Sequence, residues 1–235
     1  MIKENDIRYS RLTSLPEIGP EGMALLRTAR IMVVGCGALG SLCSMYLAAS
    51  GVGHITIADF DRIDISNLQR QLFFTEAGLG ESKARILAER MRSINSEVEV
   101  TVIERLIRRD YALSVFAGHD VIIDGSDNPA TKLMTDGVCE ETGLPCVIGG
   151  VRGFECQVMT CVPGSVRYSD VFGDSGVCSG ITPCSVGGVL GPAAGVAASI
   201  QAAEAVKLVT HAGEPLTDRL FTLNLLDMST AVYNV

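Results

Sequence analysis

Ile31-Met32-Val33-Val34-Gly35-Cys36-Gly37-Ala38-Leu39-Gly40 is the stretch that decides the fold. A short apolar run enters Gly-x-Gly-x-x-Gly and then an Ala-, Leu- and Met-rich stretch to Ser50, with Gly51 as its stop. A buried strand, a tight turn and a helix opening on that turn account for the order, and the N-terminus of such a helix favours an anion. His54-Ile55-Thr56-Ile57-Ala58-Asp59 reads as the next strand and ends on an acid. A carboxylate there accepts hydrogen bonds from both ribose hydroxyls and disfavours a 2'-phosphate. A mononucleotide or dinucleotide site is expected, and NADP is not.

Beyond this unit, apolar runs bounded by Gly or Asp keep alternating with helical stretches, as in a parallel sheet covered on both faces. Between Glu81 and Asn95, Ala84, Leu87, Ala88, Met91 and Ile94 recur at spacings of three and four among charged residues, which predicts an amphipathic helix. Strands are expected at Val98–Ile103, Asp120–Asp124 and Pro145–Ile148, with a helix from Pro129 to Glu141. After Gly150 the pattern changes. Gln157–Val162 reads as an antiparallel strand, Gly164–Pro183 as a mobile loop, Gly188–Thr210 as a Gly/Ala helix, and Arg219–Asn224 with Ser229–Tyr233 as a closing hairpin. The fold class predicted is α/β, a Rossmann-like doubly wound sheet, mainly parallel, with antiparallel strands toward the C-terminus. Residues 1–235 are expected to form a single domain with an N-terminal helical arm (1–30), a nucleotide-binding half (31–150) and a mobile loop, long helix and closing hairpin (151–235).

Composition excludes several functions. With 47% hydrophobic residues and no long polar tract the chain is not disordered. Lys+Arg 19 against Asp+Glu 27, a net charge of -8, leaves no basic footprint for nucleic acid or a membrane surface. Val186–Val209 is long enough to raise a membrane span, but Gln201, Glu204 and Lys207 make it a buried helix. Met1–Asp6 lacks a secretory pattern, so a cytoplasmic protein is expected.

The glycine loop and Asp59 would serve a dehydrogenase or an ATP user equally well; the segment that follows separates them. Asp59-Phe60-Asp61-Arg62-Ile63-Asp64-Ile65-Ser66-Asn67-Leu68-Gln69-Arg70-Gln71 is a polar cluster, whereas a nicotinamide wants an apolar slot. Asn67 and Arg70 follow the nucleotide strand closely enough to meet phosphates, and Lys83, opening the next helix, adds a second cation. Arg70 and Lys83 would otherwise be solvated surface charge. Asp127, within Asp124-Gly125-Ser126-Asp127-Asn128 at the end of a strand, is placed to hold Mg2+.

These residues resemble the ThiF/MoeB/HesA group of adenylyltransferases, relatives of ubiquitin-activating enzymes. The likeness covers Arg8-Tyr9-Ser10-Arg11, the Gly35–Gly40 loop, Asp59–Gln71, Gly80-Glu81-Ser82-Lys83-Ala84, Asp124–Asn128, and Gly187-Gly188-Val189-Leu190-Gly191-Pro192 with the helix after it. Ser66-Asn67-Leu68-x-Arg70-Gln71 is its most diagnostic string. The resemblance implies Mg-ATP-dependent adenylation of the C-terminal glycine of a small ubiquitin-fold sulfur carrier ending in Gly-Gly, for thiamine thiazole or molybdopterin synthesis. It implies ATP and Mg2+ as cofactors, with Gly35, Gly37, Gly40, Asp59, Asp61, Asn67, Arg70 and Lys83 around the nucleotide and Asp127 on the metal. It also implies a homodimer in which Arg11 reaches the phosphates of the partner subunit. The chain stops soon after the adenylation domain, so a separate sulfur donor is expected. A non-catalytic partner role, a non-carrier substrate and an NAD-dependent oxidoreductase are the competing readings.

The cysteines depart from the pattern. Relatives carry two Cys-x-x-Cys pairs that bind zinc; this chain has no such pair, and Arg167-Tyr168-Ser169-Asp170 stands near where the first would fall. Most of its eight cysteines sit in apolar runs and read as small buried thiols. Cys184, in Thr182-Pro183-Cys184-Ser185, matches the place where relatives have an acyl-accepting cysteine, and a thiol before a helix N-terminus can have a depressed pKa. Metal analysis of the purified protein is expected to find no stoichiometric zinc. One zinc per chain would overturn this, with Cys156, Cys161, Cys178 and Cys184 the first suspects.

Overall fold

The computed structural model describes residues 7–173 and 188–235. Helices α1 (Ser10–Thr13) and α2 (Gly19–Thr28) precede β1 (Arg30–Val34), α3 (Ala38–Ala49), β2 (His54–Ala58), α4 (Lys83–Ile94) and β3 (Glu99–Ile103). Then come α5 (Arg109–Val115), β4 (Val121–Asp124), α6 (Pro129–Thr142) and β5 (Cys146–Arg152). The chain closes with β6 (Glu155–Cys161), α7 (Tyr168–Phe172), α8 (Gly191–Thr210), β7 (Arg219–Asn224) and β8 (Ser229–Asn234).

All eight strands form one sheet in the order β3-β2-β1-β4-β5-β6-β7-β8. The pairs from β3 to β5 are parallel and those from β5 to β8 antiparallel. Side chains alternate between the two faces with period two, as a doubly covered sheet demands. Ile31, Val33, Ile55, Ile57, Val121 and Ile123 pack with α2, α3, α4 and α8. Met32, Val34, Ala58, Ile122 and Ile148 pack with α5, α6 and α7. Six of the nine buried residues of α8 are alanines, and small side chains let a helix lie close to its neighbours, here α3 and β5. Among the described residues no helix is long and apolar enough to cross a membrane.

The sheet order reverses between β1 and β4, which opens a crevice at their carboxyl ends. There the turns after the two strands touch through backbone. A Cβ on Gly40 would lie 1.8 Å from the Gly35 carbonyl oxygen, and one on Gly125 would lie 2.7 Å from the Gly40 backbone. Gly35 itself has φ +90°, where a side chain is strained.

Several expectations need adjustment. The stretch from Gly164, expected as mobile loop, holds α7, anchored by buried Tyr168 and Arg167, while 174–183 lie outside the described residues. Helix α5 lies between β3 and β4, where no helix was anticipated. Helix α8 starts at Gly191 rather than Gly188, because Val189 bridges to Gly153 before Pro192 opens the helix. Ile94, expected on the buried stripe of α4, is 43% exposed at its frayed end.

Gly40→Ala is expected to cost about 3 kcal/mol or more, because its new methyl meets backbone that cannot yield. Gly118, at φ +80° with nothing within 4 Å, is the control. Its change to alanine should cost only about 1 kcal/mol. Equal shifts of the two urea midpoints would contradict the backbone contact.

Candidate functional site

A cavity of about 1030 Å³ opens at the carboxyl ends of β1 and β4. One end is lined by Gly35, Gly37, Asp59, Asp61, Arg70, Lys83 and Asp127. The same cavity runs on over the antiparallel strands, past Gly150, Gln157, Thr222, Thr230 and Tyr233. Helix α3 points its N-terminus at it with Gly37 as N-cap and no side-chain cap, and Ala38 and Leu39 line the wall. The neighbouring α4 and α6 are capped by Ser82 and Asn128 side chains. The first-turn amides of α3 are the ones left for an anion.

Asp59 is held by backbone. Its Oδ2 accepts from the Cys36 N–H at 2.7 Å and its Oδ1 from the Asp61 N–H at 2.8 Å. Burial pushes its carboxyl above the usual carboxylate range, while those two N–H groups and the Lys83 charge pull it back. Lys83, the first residue of α4, is buried and donates to Asp61 Oδ2 at 2.9 Å, leaving ammonium protons for a ligand.

Arg70 lines the cavity and donates to the Ser66 carbonyl at 3.0 Å. Asn67 does not line it. Its Oδ1 accepts from the Asp64 N–H at 3.4 Å in a capping box, and its carbonyl accepts from the Arg70 and Gln71 N–H groups. In this structure Asn67 therefore acts on the cavity through the turn that aims Arg70. Gly40 abuts Gly35 behind the wall, and Asp127 lies exposed on it. Arg11 is exposed on α1 and is not among the residues that line the cavity. Cys184 and Cys178 lie outside the described residues, and the six described cysteines are free and buried. Cys36 packs in the core behind the glycine turn, where burial pushes its thiol up.

Gln71, Lys132 and Arg105 are polar cavity residues that the sequence reading did not single out. Gln71 is 4% exposed and its Oε1 has no partner, beside Gly37. A buried unpartnered amide oxygen on a cavity wall is what a ligand-binding glutamine leaves when nothing is bound. Its place in the Ser66–Gln71 string was the available signal. Lys132 and Arg105 gave none: one looks like a helix-surface lysine, the other like a solvated charge. Arg105 instead stacks over Tyr111, 3.7 Å from its centroid, and Lys132 is buried against Asp124.

The donor set fits a nucleotide with a divalent cation: free helix amides, the cations Arg70 and Lys83, the acid at the end of β2, and at Asp127 a carboxylate with no partner among the described residues. Elsewhere, Asp136, Cys146 and Cys161 converge within 4.8 Å of one another. The Arg167 guanidinium already pairs with Asp136 at 2.7 Å, so that cluster holds its own counter-charge.

Comparison with known proteins bears on the family and the fold. The model of the ThiF family matches residues 9–235. The chain is 38% identical over 222 residues to the SAMP-activating enzyme E1 of Haloferax volcanii, covering 94% of this chain and 82% of that protein. It is 37% identical to the probable adenylyltransferase/sulfurtransferase MoeZ of Mycobacterium tuberculosis, over 97% of this chain and 59% of that one. It is 35% identical to the adenylyltransferase and sulfurtransferase MOCS3 of Arabidopsis thaliana, again over 97% of this chain but 49% of the relative. The chain thus spans about half to four-fifths of these relatives. Among solved structures, E. coli MccB with ATP superimposes with a TM-score of 0.84 at 25% identity, covering 97% of this chain and 71% of that one.

Asp59 generates a test by pH. Ionised, it offers acceptors to the ribose hydroxyls expected there; protonated, it loses one. Because its folded value lies above the ordinary 3.8, nucleotide affinity should fall while the pH is still above that value. For stability the sign is opposite: a raised carboxylate stabilises the fold as pH drops through the window between 3.8 and the folded value. Calorimetric titration of ATP against pH is expected to show the loss of affinity, and Asp59→Asn to bind more weakly at neutral pH without that step. An identical pH profile in the variant would remove Asp59 from the ribose.

Proposed function

The chain belongs to the ThiF family, and on that premise we propose that it adenylates the C-terminal glycine carboxylate of a small ubiquitin-fold sulfur carrier, using Mg-ATP and releasing pyrophosphate. The observation that carries this reading is one cavity with two kinds of wall. Its inner end has the uncapped α3 N-terminus, Arg70, Lys83 and Asp127; its outer end runs along Gln157, Thr222, Thr230 and Tyr233. A nucleotide fits the first and an extended peptide ending in glycine the second, with the two meeting near Gly150.

The chemistry asks little proton transfer of the protein. A C-terminal carboxylate is ionised at neutral pH, so it attacks the α-phosphorus without a general base. As its oxygen bonds to phosphorus, the bond to the bridging oxygen of pyrophosphate breaks. The obstacle is an anion approaching an anion, and positioned charge lowers it. Arg70 and Lys83 bind the phosphates, the α3 amides add partial positive charge, and Asp59 fixes the ribose. Mg2+ held through Asp127 supplies further neutralisation of the phosphates. A hydride-transfer enzyme would leave Arg70, Lys83 and Asp127 without work.

Arg11 is exposed away from the cavity lining of its own chain. We assign it to the phosphates of the partner subunit in a homodimer with composite sites. The carrier serves thiamine thiazole or molybdopterin synthesis. The adenylation step needs no thiol, so Cys184→Ala should retain it, and any covalent role of Cys184 lies after adenylation.

Exchange of pyrophosphate into ATP, with Mg2+, tests the reading against ubiquitin-fold proteins ending in Gly-Gly and their glycine-deleted forms. Exchange is expected with an intact carrier only. Arg11→Ala, Arg70→Ala and Lys83→Ala should each slow it about 100-fold or more. Mixing Arg11→Ala with Lys83→Ala protomers should recover about a quarter of the unaltered rate, since half the dimers are mixed and each then has one intact site. Near-normal exchange by Arg70→Ala would remove that residue from the mechanism, and no recovery on mixing would remove Arg11 from the partner's site.

A further inference from the structure

Lys132 is a buried ammonium with every proton committed. Its Nζ donates to Asp124 Oδ1 at 2.8 Å, to the Ser126 carbonyl at 2.6 Å and to the Gly149 carbonyl at 2.6 Å. An ammonium has three donors, so none is left for a ligand although the side chain lines the cavity. Asp124, fully buried at the end of β4, is as heavily engaged: it also accepts from the Ser126 N–H and hydroxyl and from the Thr135 hydroxyl. The pair is thus closed to direct contact with substrate.

What the pair does is tie backbone. One ammonium gathers the end of β4, the middle of β5 and the turn that follows β4. That turn is fixed again on its far side, where the Asn128 side chain caps α6 by accepting from the Ala130 N–H at 2.8 Å. Asp127 stands between these two tethered residues, exposed on the cavity wall and without a hydrogen bond to any other described residue. The turn also abuts the nucleotide loop, because Gly125 packs on the backbone of Gly40 and Gly35. Replacing a buried ion pair by apolar side chains is often neutral for stability, so the gain from retaining this one is geometric.

We propose that Lys132, with Asp124, is a positioning residue for the divalent cation of the bound nucleotide: it fixes the turn from which Asp127 presents its carboxylate, at a set place opposite the Gly35–Gly40 loop. The proposal rests on the reading of this cavity as a Mg-nucleotide site. It adds a clamp that makes the site selective for the metal-bound form of ATP, with no contact between Lys132 and the nucleotide.

Calorimetric binding of a non-hydrolysable ATP analogue, with Mg2+ and with a chelator in its place, separates clamp from simple support. Lys132→Met leaves a buried carboxylate without its cation, so the double variant Asp124→Asn/Lys132→Met, which buries no unpaired charge, is measured beside it. In the chelator both variants should bind the analogue as the unaltered protein does. With Mg2+ they should lose about ten-fold or more of the tightening that the metal confers, the scale expected when a ligand is displaced by a fraction of an ångström. Asp127→Asn should show the same loss. A double variant that melts at a lower temperature yet keeps the full Mg2+ tightening would overturn the proposal and leave Lys132 a structural residue. Absence of any Mg2+ tightening in the unaltered protein would overturn the reading of the site itself, and the clamp with it.

Discussion

The backbone contact between the turns after β1 and β4 is the constraint on which the site depends. Gly35, Gly40 and Gly125 bring those turns so close that a single methyl at Gly125 would lie 2.7 Å from the Gly40 backbone, and one at Gly35 3.0 Å from the Ser126 backbone nitrogen. This closeness lets α3 begin immediately after β1, with its free amides at the mouth of the crevice. It also brings Asp127, carried by the second turn, opposite the loop formed by the first. The parallel strands supply rigid ends; the glycines let those ends converge.

Charge at this end of the sheet is divided between what is spent and what is free. Lys132 with Asp124 and Arg167 with Asp136 are buried pairs that organise backbone. Lys83 with Asp61 is different, because the carboxylate is half exposed and the ammonium faces the cavity. Arg70 holds only a backbone carbonyl. Arg70 and Lys83 thus offer positive charge to one cavity in a chain whose net charge is -8, where an anionic nucleotide would be drawn.

Legibility from sequence followed the strength of the local signal. Strands β1, β2, β4 and β5 were readable because burial on both faces forces continuous apolar runs, the edge strand β3 because its apolar residues alternate, and the turn because Gly35 and Gly40 leave no room for a side chain. Asp59 was readable from its place at the end of β2. Helix α5 was missed because seven residues among the charges of 104–110 show too little of a helical period. Helix α7 was missed because its anchors, Arg167 and Tyr168, are polar or amphipathic residues in a Gly/Ser-rich context, and their burial depends on Asp136 far away in sequence. Lys132 was invisible for the same reason: its three acceptors come from three different segments. Asn67 was read as a phosphate ligand, whereas its side chain here caps the turn that carries Arg70.

On the proposed function, a carboxylate oxygen of a protein tail attacks the α-phosphorus of ATP in this cavity. The most direct measurement labels the C-terminal carboxylate of a Gly-Gly-ended ubiquitin-fold carrier with 18O, incubates it with Mg-ATP and the protein, and cleaves the product with hydroxylamine before mass analysis of the AMP. The account predicts AMP that has gained a single 18O from the carrier, together with pyrophosphate. Unlabelled AMP, or label retained wholly in the carrier while pyrophosphate is released, would contradict it.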